Sequence, residues 1–218
     1  VMYGVADATY KLCEPLLTPF DQQLHALVPQ MATVDKFVET NKHAYSKRLP
    51  LMDASTVLFG VCFYAVLLIV TFLVGKLLGK MKHKPLGFVH NMNLYFLSLY
   101  MWASIIITAA ASGFTIWNNG VQDGTDNGWR MAKLIWLFYV SKLPEFIDTA
   151  LMMLKQNYHQ VSFLHIYHHL TIFCIWFLVT NKGPGGDAYF SAVLNSGIHV
   201  IMYGYYWGTM MFDEKSTI

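Results

Sequence analysis

Three histidines lie within five residues of one strongly apolar segment, at His165, His168 and His169. On a helix, the spacing i, i+3, i+4 places the three rings on neighbouring positions of one face. A neutral imidazole can act as a nucleophile or as a general base, and burial favours its neutral form. Because an ionisable group inside hydrocarbon costs about 2.5–3.5 kcal/mol on insertion scales, this cluster predicts a site of chemistry.

A second polar group precedes the histidines and recurs at i, i+3, i+6 and i+7, which is one helical stripe. Its members are Lys142, Glu145, Asp148 and Thr149. Lys142 and Glu145 can pair across one turn, and an ion pair that joins two helices explains them as well as a functional role does. For Asp148 we favour a functional role or support of the histidines. Pro144 lies inside the stripe and predicts a kink.

A third group follows at i, i+4, i+8 and i+11, again on one helical face. It comprises Asn195, His199, Tyr203 and Tyr206. Tyrosines also form belts at membrane interfaces, so Tyr206 has a structural interpretation as well. A carboxylate or carboxamide can fix the tautomer of a histidine, and Asp148, Gln160 and Asn195 are candidates for that task.

Transmembrane helices must position these groups, because 55% of the 218 residues are hydrophobic and 13% are charged, against about 25% charged in soluble domains. A spanning helix needs about 20 mostly apolar residues. Five segments qualify, at 54–78, 86–111, 131–154, 163–180 and 188–211. We therefore expect an all-α, polytopic transmembrane bundle. The net charge of +2 gives no reason to expect a nucleic-acid partner.

The chain is divided by its polarity into an N-terminal segment (1–50), a membrane domain (51–212) and the start of a cytosolic connector (213–218). Basic residues in short loops mark the cytosolic side. Four lysines flank the first loop between spans: Lys76, Lys80, Lys82 and Lys84. This places that loop in the cytosol, the N-terminus on the opposite side, and all three polar groups near the cytosolic side.

Histidines on membrane helices suggest either a di-iron centre, as in membrane desaturases and hydroxylases, or metal-free acyl transfer. The well-placed histidines are His165, His168, His169 and His199, with His90 as a further candidate. These could hold one zinc ion but are too few for a di-iron site of that type. The count favours chemistry without a metal or other cofactor. A membrane transporter is the non-enzymatic alternative, although no inverted repeat is apparent.

The three groups resemble the sequence boxes of the ELO family of very-long-chain fatty acid elongases. Residues 142–149 (KLPEFIDT) are similar to its KxxExxDT box, 165–169 (HIYHH) to its HxxHH box, and 199–206 (HVIMYGYY) to its HxxMYxYY box. Residues 160–165 also resemble the lead-in to the histidine box. The resemblance covers about residues 50–212, with the three boxes in order on successive helices.

The resemblance implies a very-long-chain 3-oxoacyl-CoA synthase of the endoplasmic reticulum membrane, which joins long-chain acyl-CoA to malonyl-CoA and releases CO2 and CoA. Implied partners are these two substrates, membrane lipid and other enzymes of the elongation cycle. It also implies a seven-helix bundle around a tunnel open to the cytosol. This chain would hold five of the seven helices, so we expect an inactive fragment. The Gln160-Val-Ser lead-in, with Ile166 and Tyr167, is similar to elongases of polyunsaturated chains.

Within that reaction we expect His168 to be the nucleophile and His199 its partner or the activator of malonyl-CoA. His165 and His169 would orient the site or stabilise an oxyanion. Lys142, with Lys155, could steer the CoA phosphates. A one-step condensation that uses the histidines only as bases is the alternative.

Overall fold

The computed structural model describes residues 31–81 and 84–212, together with Gln23 and Ala26. The predicted connector 213–218, most of the first 30 residues, and Lys82 lie outside the described residues. The described part contains helices and loops without strands, which confirms the all-α prediction. Its helices are α1 (Met31–Thr40), α2 (Ala54–Leu78), α3 (Lys84–Ala111), α4 (Asp126–Val140), α5 (Lys142–Leu154), α6 (Phe163–Lys182) and α7 (Ala188–Phe212).

Three of the described helices are long and apolar enough to cross a membrane, by length and composition: α2, α6, and α3 from Pro85 onward. Four of the five predicted segments form single helices whose ends fall within two residues of the expected bounds. The prediction for 131–154 is wrong, because two helices, α4 and α5, replace one continuous span.

The break between α4 and α5 falls at Ser141, just before Pro144. Proline has no N–H to donate to the carbonyl of Val140, and its ring crowds that carbonyl. Ser141 satisfies the end of α4 instead, since its N–H donates to Leu137 O at 2.8 Å and its hydroxyl donates to Phe138 O at 2.8 Å. The kink predicted at Pro144 therefore takes the form of two short helices.

Helix α4 is the centre of the bundle, because apolar side chains on every face of it are buried. These are Met131, Ala132, Leu134, Ile135, Trp136, Phe138 and Tyr139. The Phe138 ring lies 4.4 Å from that of Trp176, and the Tyr139 ring stacks on Phe173 at 5.3 Å, measured between centroids. These ring contacts hold α4 against α6 through van der Waals packing, which is the main attraction between apolar helices in a membrane.

The other helices surround this centre. Helix α6 packs on α4, α5 and α2, whereas α7 packs mainly along α3, and α2 packs on α5. At Gly60 of α2, an added Cβ would lie 2.5 Å from the ring of Phe173. Glycine is thus needed there for the close approach of α2 and α6.

The chain before α2 covers the C-terminal end of α6. The N–H of His43 donates to Asn181 O at 2.9 Å, and the Ser46 hydroxyl donates to Thr180 O at 2.6 Å. The last carbonyls of a helix have no partner within the helix itself. These bonds therefore seal the end of α6 that lies away from the histidine cluster.

At the same end of the bundle, Asp187 links two connections. Its carboxylate accepts the backbone N–H of Asn118 at 3.0 Å and of Asn119 at 2.7 Å. These bonds join the α3–α4 loop to the turn between α6 and α7. The backbone hydrogen bond from Asn119 is the main reason why the pKa of Asp187 is lowered. Because the folded pKa lies below the unfolded value of about 3.9, this stabilisation is present above that pH and is lost as the pH falls through the folded pKa.

We expect Asp187→Ala to remove the hydrogen-exchange protection of the Asn118 and Asn119 amides at neutral pH. In the unchanged protein, the protection factors of the same amides should persist at neutral pH and fall once the pH drops below about 4. Hydrogen–deuterium exchange measured by mass spectrometry tests both points. Asp126→Ala, which removes an exposed acid at the start of α4, directly after the same loop, is the matched control and should leave the protection unchanged. Equal protection in Asp187→Ala and in the unchanged protein would contradict the expectation.

Candidate active site

Helix α5 begins with a buried ion pair. Lys142 Nζ lies 2.7 Å from Glu145 Oε1, and the two side chains are 1% and 2% exposed. The ammonium also donates to Asn195 Oδ1 of α7 at 3.2 Å and lies 4.1 Å from the centroid of the Phe138 ring. The pair expected from the spacing is therefore present, and it joins α5 to α7. An ammonium enclosed in this way does not fit the expected role of Lys142 in steering CoA phosphates.

Glu145 also holds a histidine. Its Oε1 lies 3.3 Å from His199 Nδ1, while Oε2 is buried and has no hydrogen-bond partner among the described residues. Since a carboxylate only accepts, Nδ1 of His199 carries the hydrogen. This leaves Nε2 as the ring nitrogen that can face a substrate.

Asp148 connects three helices. Its Oδ1 lies 2.8 Å from Nε2 of His90 on α3, and its Oδ2 accepts the hydroxyl of Tyr203 on α7 at 2.5 Å. Its side chain is 14% exposed. In the described part of the chain, neither lysine nor arginine forms an ion pair with this carboxylate.

Thr149, the next residue on α5, reaches two further helices. Its hydroxyl lies 2.9 Å from that of Tyr64 on α2 and 2.8 Å from Nε2 of His165 on α6. Tyr64 is fully buried and stacks on Phe146 with the ring centroids 4.3 Å apart. The Tyr64–Thr149 chain of hydroxyls therefore fixes the orientation of the His165 ring.

The three clustered histidines differ in their surroundings. The ring centroids of His165 and His169 are 4.5 Å apart, and those of His168 and His169 are 5.6 Å apart. His169 is buried, and its Nδ1 lacks a hydrogen-bond partner in the described chain. His168 is exposed, and its ring makes no hydrogen bond to any described residue. His168 is therefore the imidazole of the cluster that a substrate can reach.

Most of the predicted site residues come together in this way, but Gln160 and Tyr206 do not. The Gln160 side chain is exposed in the turn Tyr158–Gln160 and bonds to none of the described residues. Tyr206 is 40% exposed. Its ring packs against that of Tyr205, with the centroids 5.8 Å apart, and its hydroxyl bonds to none of the described residues. Helical periodicity predicts which residues share a face, but not which of them meets a partner on another helix.

Two residues in these networks were not predicted as members. Tyr64 was not singled out, although a tyrosine in the middle of the apolar helix α2 is a signal of a buried hydrogen bond. His90 was considered only as a metal ligand. The signal available from the sequence was a polar residue near the start of an apolar segment. The structure shows that this helix, α3, packs along α7.

Among residues 31–81 and 84–212, His, Cys, Asp and Glu side chains nowhere gather in groups of three or more that could hold a metal ion. That the protein uses no metal or other cofactor stays a prediction.

Comparison with known proteins supports the family resemblance that the three sequence boxes suggest. The chain matches the sequence model "ELO: GNS1/SUR4 family" over residues 49–218. It is 48% identical over 186 residues to "Fatty acid elongase 6" of Leishmania major, which covers 85% of this chain and 48% of that protein. "Very long chain fatty acid elongase 5" is 43% identical in Tachysurus fulvidraco and 39% identical in Homo sapiens, over 118 residues, 54% of this chain and 40% of each relative.

The chain thus spans about half the length of the curated relatives it matches. The family match nevertheless covers most of the chain, including α2 to α7 and all the residues placed around α5. We conclude that this protein is a membrane-embedded member of the ELO (GNS1/SUR4) family.

Proposed function

We propose that the protein acts as the condensing enzyme of fatty acid elongation. It would join a long-chain acyl-CoA to malonyl-CoA and release 3-oxoacyl-CoA, CO2 and CoA. The observation that carries this proposal is the placement of His168. Its ring is accessible and lies within electrostatic range of Lys142, Glu145 and His199. One exposed imidazole thus lies in the neighbourhood of a second imidazole that a carboxylate already orients.

In the first half-reaction, a ring nitrogen of His168 attacks the thioester carbon of acyl-CoA. The C–S bond breaks, and the departing thiolate takes the proton that the acylated ring loses from its other nitrogen. The acyl group is then held as an acyl-imidazole, which is reactive toward carbon nucleophiles and survives if water is excluded.

In the second half-reaction, malonyl-CoA loses CO2 and becomes an enolate, whose carbon attacks the acyl carbon. The C–N bond to His168 breaks, and the ring regains a proton from solvent. A protonated His199, held at Nδ1 by Glu145, would donate from Nε2 to the enolate oxygen. His165 and His169 would support the oxyanion of the first step.

The finer assignments are also part of the proposal. The lead-in at Gln160 supports a polyunsaturated acyl substrate, and the similarity to very long chain fatty acid elongase 5 of Tachysurus fulvidraco supports a very long acyl chain. The lysines Lys76 and Lys80 at the end of α2 support a cytosolic first loop and a non-cytosolic N-terminus. Residence in the endoplasmic reticulum membrane is proposed from the family match. Lys155, at the end of α5, would contact CoA phosphates.

The covalent scheme predicts that the full-length protein gains the mass of one acyl group when it is incubated with acyl-CoA alone. His168→Ala should form no adduct and should lower the condensation rate by more than about 100-fold, because the nucleophile is lost. Intact-mass spectrometry and malonyl-CoA-dependent chain extension measure the two effects. His159→Ala, an exposed histidine in the α5–α6 connection, is the matched control. An unmodified wild-type protein together with an active His168→Ala variant would refute the covalent scheme in favour of one-step condensation.

The buried ion pair makes a separate prediction. Lys142→Met leaves Glu145 without its lysine and should lower the free energy of unfolding by about 3–5 kcal/mol. Lys142→Met/Glu145→Leu removes both charges, so most of the stability should return, while condensation stays low because His199 Nδ1 has lost its partner. Thermal unfolding in detergent and the extension assay separate these effects.

The exposed Lys80 supplies the control for that pair, and Lys80→Met should change the free energy of unfolding by less than about 0.5 kcal/mol. Full activity in the double variant would show that Glu145 does not act through His199.

A further inference from the structure

We propose that His90 is a positioning residue of this site, which fixes Asp148 and through it Tyr203, the residue packed against His199. His90 lies on α3, outside the three sequence boxes. The inference rests on the proposed function and deepens it by assigning a role in the site to a residue of α3.

The contacts run without a gap from α3 to the imidazole on α7. His90 Nε2 lies 2.8 Å from Asp148 Oδ1, and the Tyr203 hydroxyl donates to Asp148 Oδ2 at 2.5 Å. The Tyr203 ring then meets the ring of His199 edge to face, with the centroids 5.5 Å apart and the planes at 88°. The position of Asp148 therefore affects where the Tyr203 ring packs against His199.

His90 does for Asp148 what Lys142 does for Glu145. Each carboxylate on α5 needs a donor to offset its removal from water. Glu145 has a lysine 2.7 Å away, whereas the ion-pair partner of Asp148 in the described chain is His90. The two sets meet at His199 and Tyr203, which lie one turn apart on α7. His199 thus depends on Glu145, which Lys142 holds in place, and Tyr203 depends on Asp148, which His90 holds in place.

The second reason concerns Thr149, which follows Asp148 directly on α5. Its hydroxyl lies 2.8 Å from His165 Nε2. A rotation of this turn of α5 would displace both the Tyr203 contact and the His165 contact. The hydrogen bond between His90 and Asp148 resists that rotation from the α3 side. The His90 side chain is only 10% exposed.

A residue that acts in this way should affect turnover rather than substrate binding. His90→Phe keeps a ring but has no donor, whereas His90→Gln keeps an N–H that can reach Asp148. In the full-length protein, we expect His90→Phe to lower kcat by about 10-fold or more, with the KM of acyl-CoA and malonyl-CoA changed by less than about 2-fold. His90→Gln should stay within about 3-fold of the unchanged protein. When Asp148→Asn is already present, adding His90→Phe should lower kcat by less than about 2-fold, because the two residues act as one unit.

The matched control is Asn91→Leu. Asn91 is the next residue on α3, is buried, and donates to Met210 Sδ of α7 at 3.7 Å. Its substitution therefore removes a polar contact between the same two helices without touching Asp148. Its kcat should stay within about 3-fold of the unchanged protein. If His90→Phe does not accumulate in membranes, His90→Asn replaces it, because the shorter amide cannot reach Asp148 and the same loss of kcat is expected.

Three results would overturn the inference: an unchanged kcat in the variant without a donor, equal losses in His90→Gln and His90→Phe, or a full additional loss on the Asp148→Asn background. Each of these presupposes that the unchanged protein extends acyl-CoA with malonyl-CoA. An unchanged protein without that activity refutes the proposed function, and the role of His90 falls with it. An active protein with an unaffected His90→Phe variant refutes the role of His90 alone.

Discussion

A charge enclosed among apolar helices must find its counter-charge and its hydrogen bonds within the protein. This requirement governs the arrangement around α5, where Lys142, Glu145 and Asp148 are all largely removed from solvent. Their partners lie on other helices, so the bundle can close only where those partners reach α5. The cost of enclosing these groups is thus offset by contacts that also decide how the helices sit against one another.

The same contacts orient the imidazoles, so the architecture and the chemistry of the site have one physical basis. Glu145 holds His199, and Thr149 with Tyr64 holds His165. His168 is different, because its ring is exposed and bonded to none of the described residues. A cluster in which the neighbours are held and one ring is left accessible suits covalent acyl transfer, since the reacting ring must change its bonding while its surroundings stay fixed.

The apolar segments and the boxes were readable from sequence because they depend on local pattern. Hydropathy gave four helices with small errors at their ends, but it counted α4 and α5 as one, since both are apolar and Pro144 was interpreted only as a kink. The i, i+3, i+6, i+7 stripe correctly put Lys142 beside Glu145. It could not show which helix each side chain would meet, because that depends on packing between segments distant in the chain.

Two misjudged residues illustrate this limit. Tyr206 shares a helical face with Asn195, yet its hydroxyl bonds to none of the described residues, since periodicity does not show which partners other helices supply. His90 was considered only as a metal ligand, whereas its hydrogen-bond partner is the carboxylate of Asp148, 58 residues further along the chain. A polar side chain near the start of an apolar helix indicates that it has a partner within the protein, but the sequence does not show where that partner lies.

The division at Ser141 has a consequence for how the protein is made. Helix α5 has 13 residues, so at 1.5 Å per residue it is about 20 Å long, too short to cross a hydrocarbon core of about 30 Å by itself. The α7 partners of Lys142 and Asp148 follow them by 53 and 55 residues. When α5 leaves the ribosome, Lys142 and Glu145 can already pair within the helix, but Asn195, His199 and Tyr203 of α7 have not yet been made. The contacts that hold α5 at its depth in the bundle are therefore completed only after α6 and α7 have been synthesised.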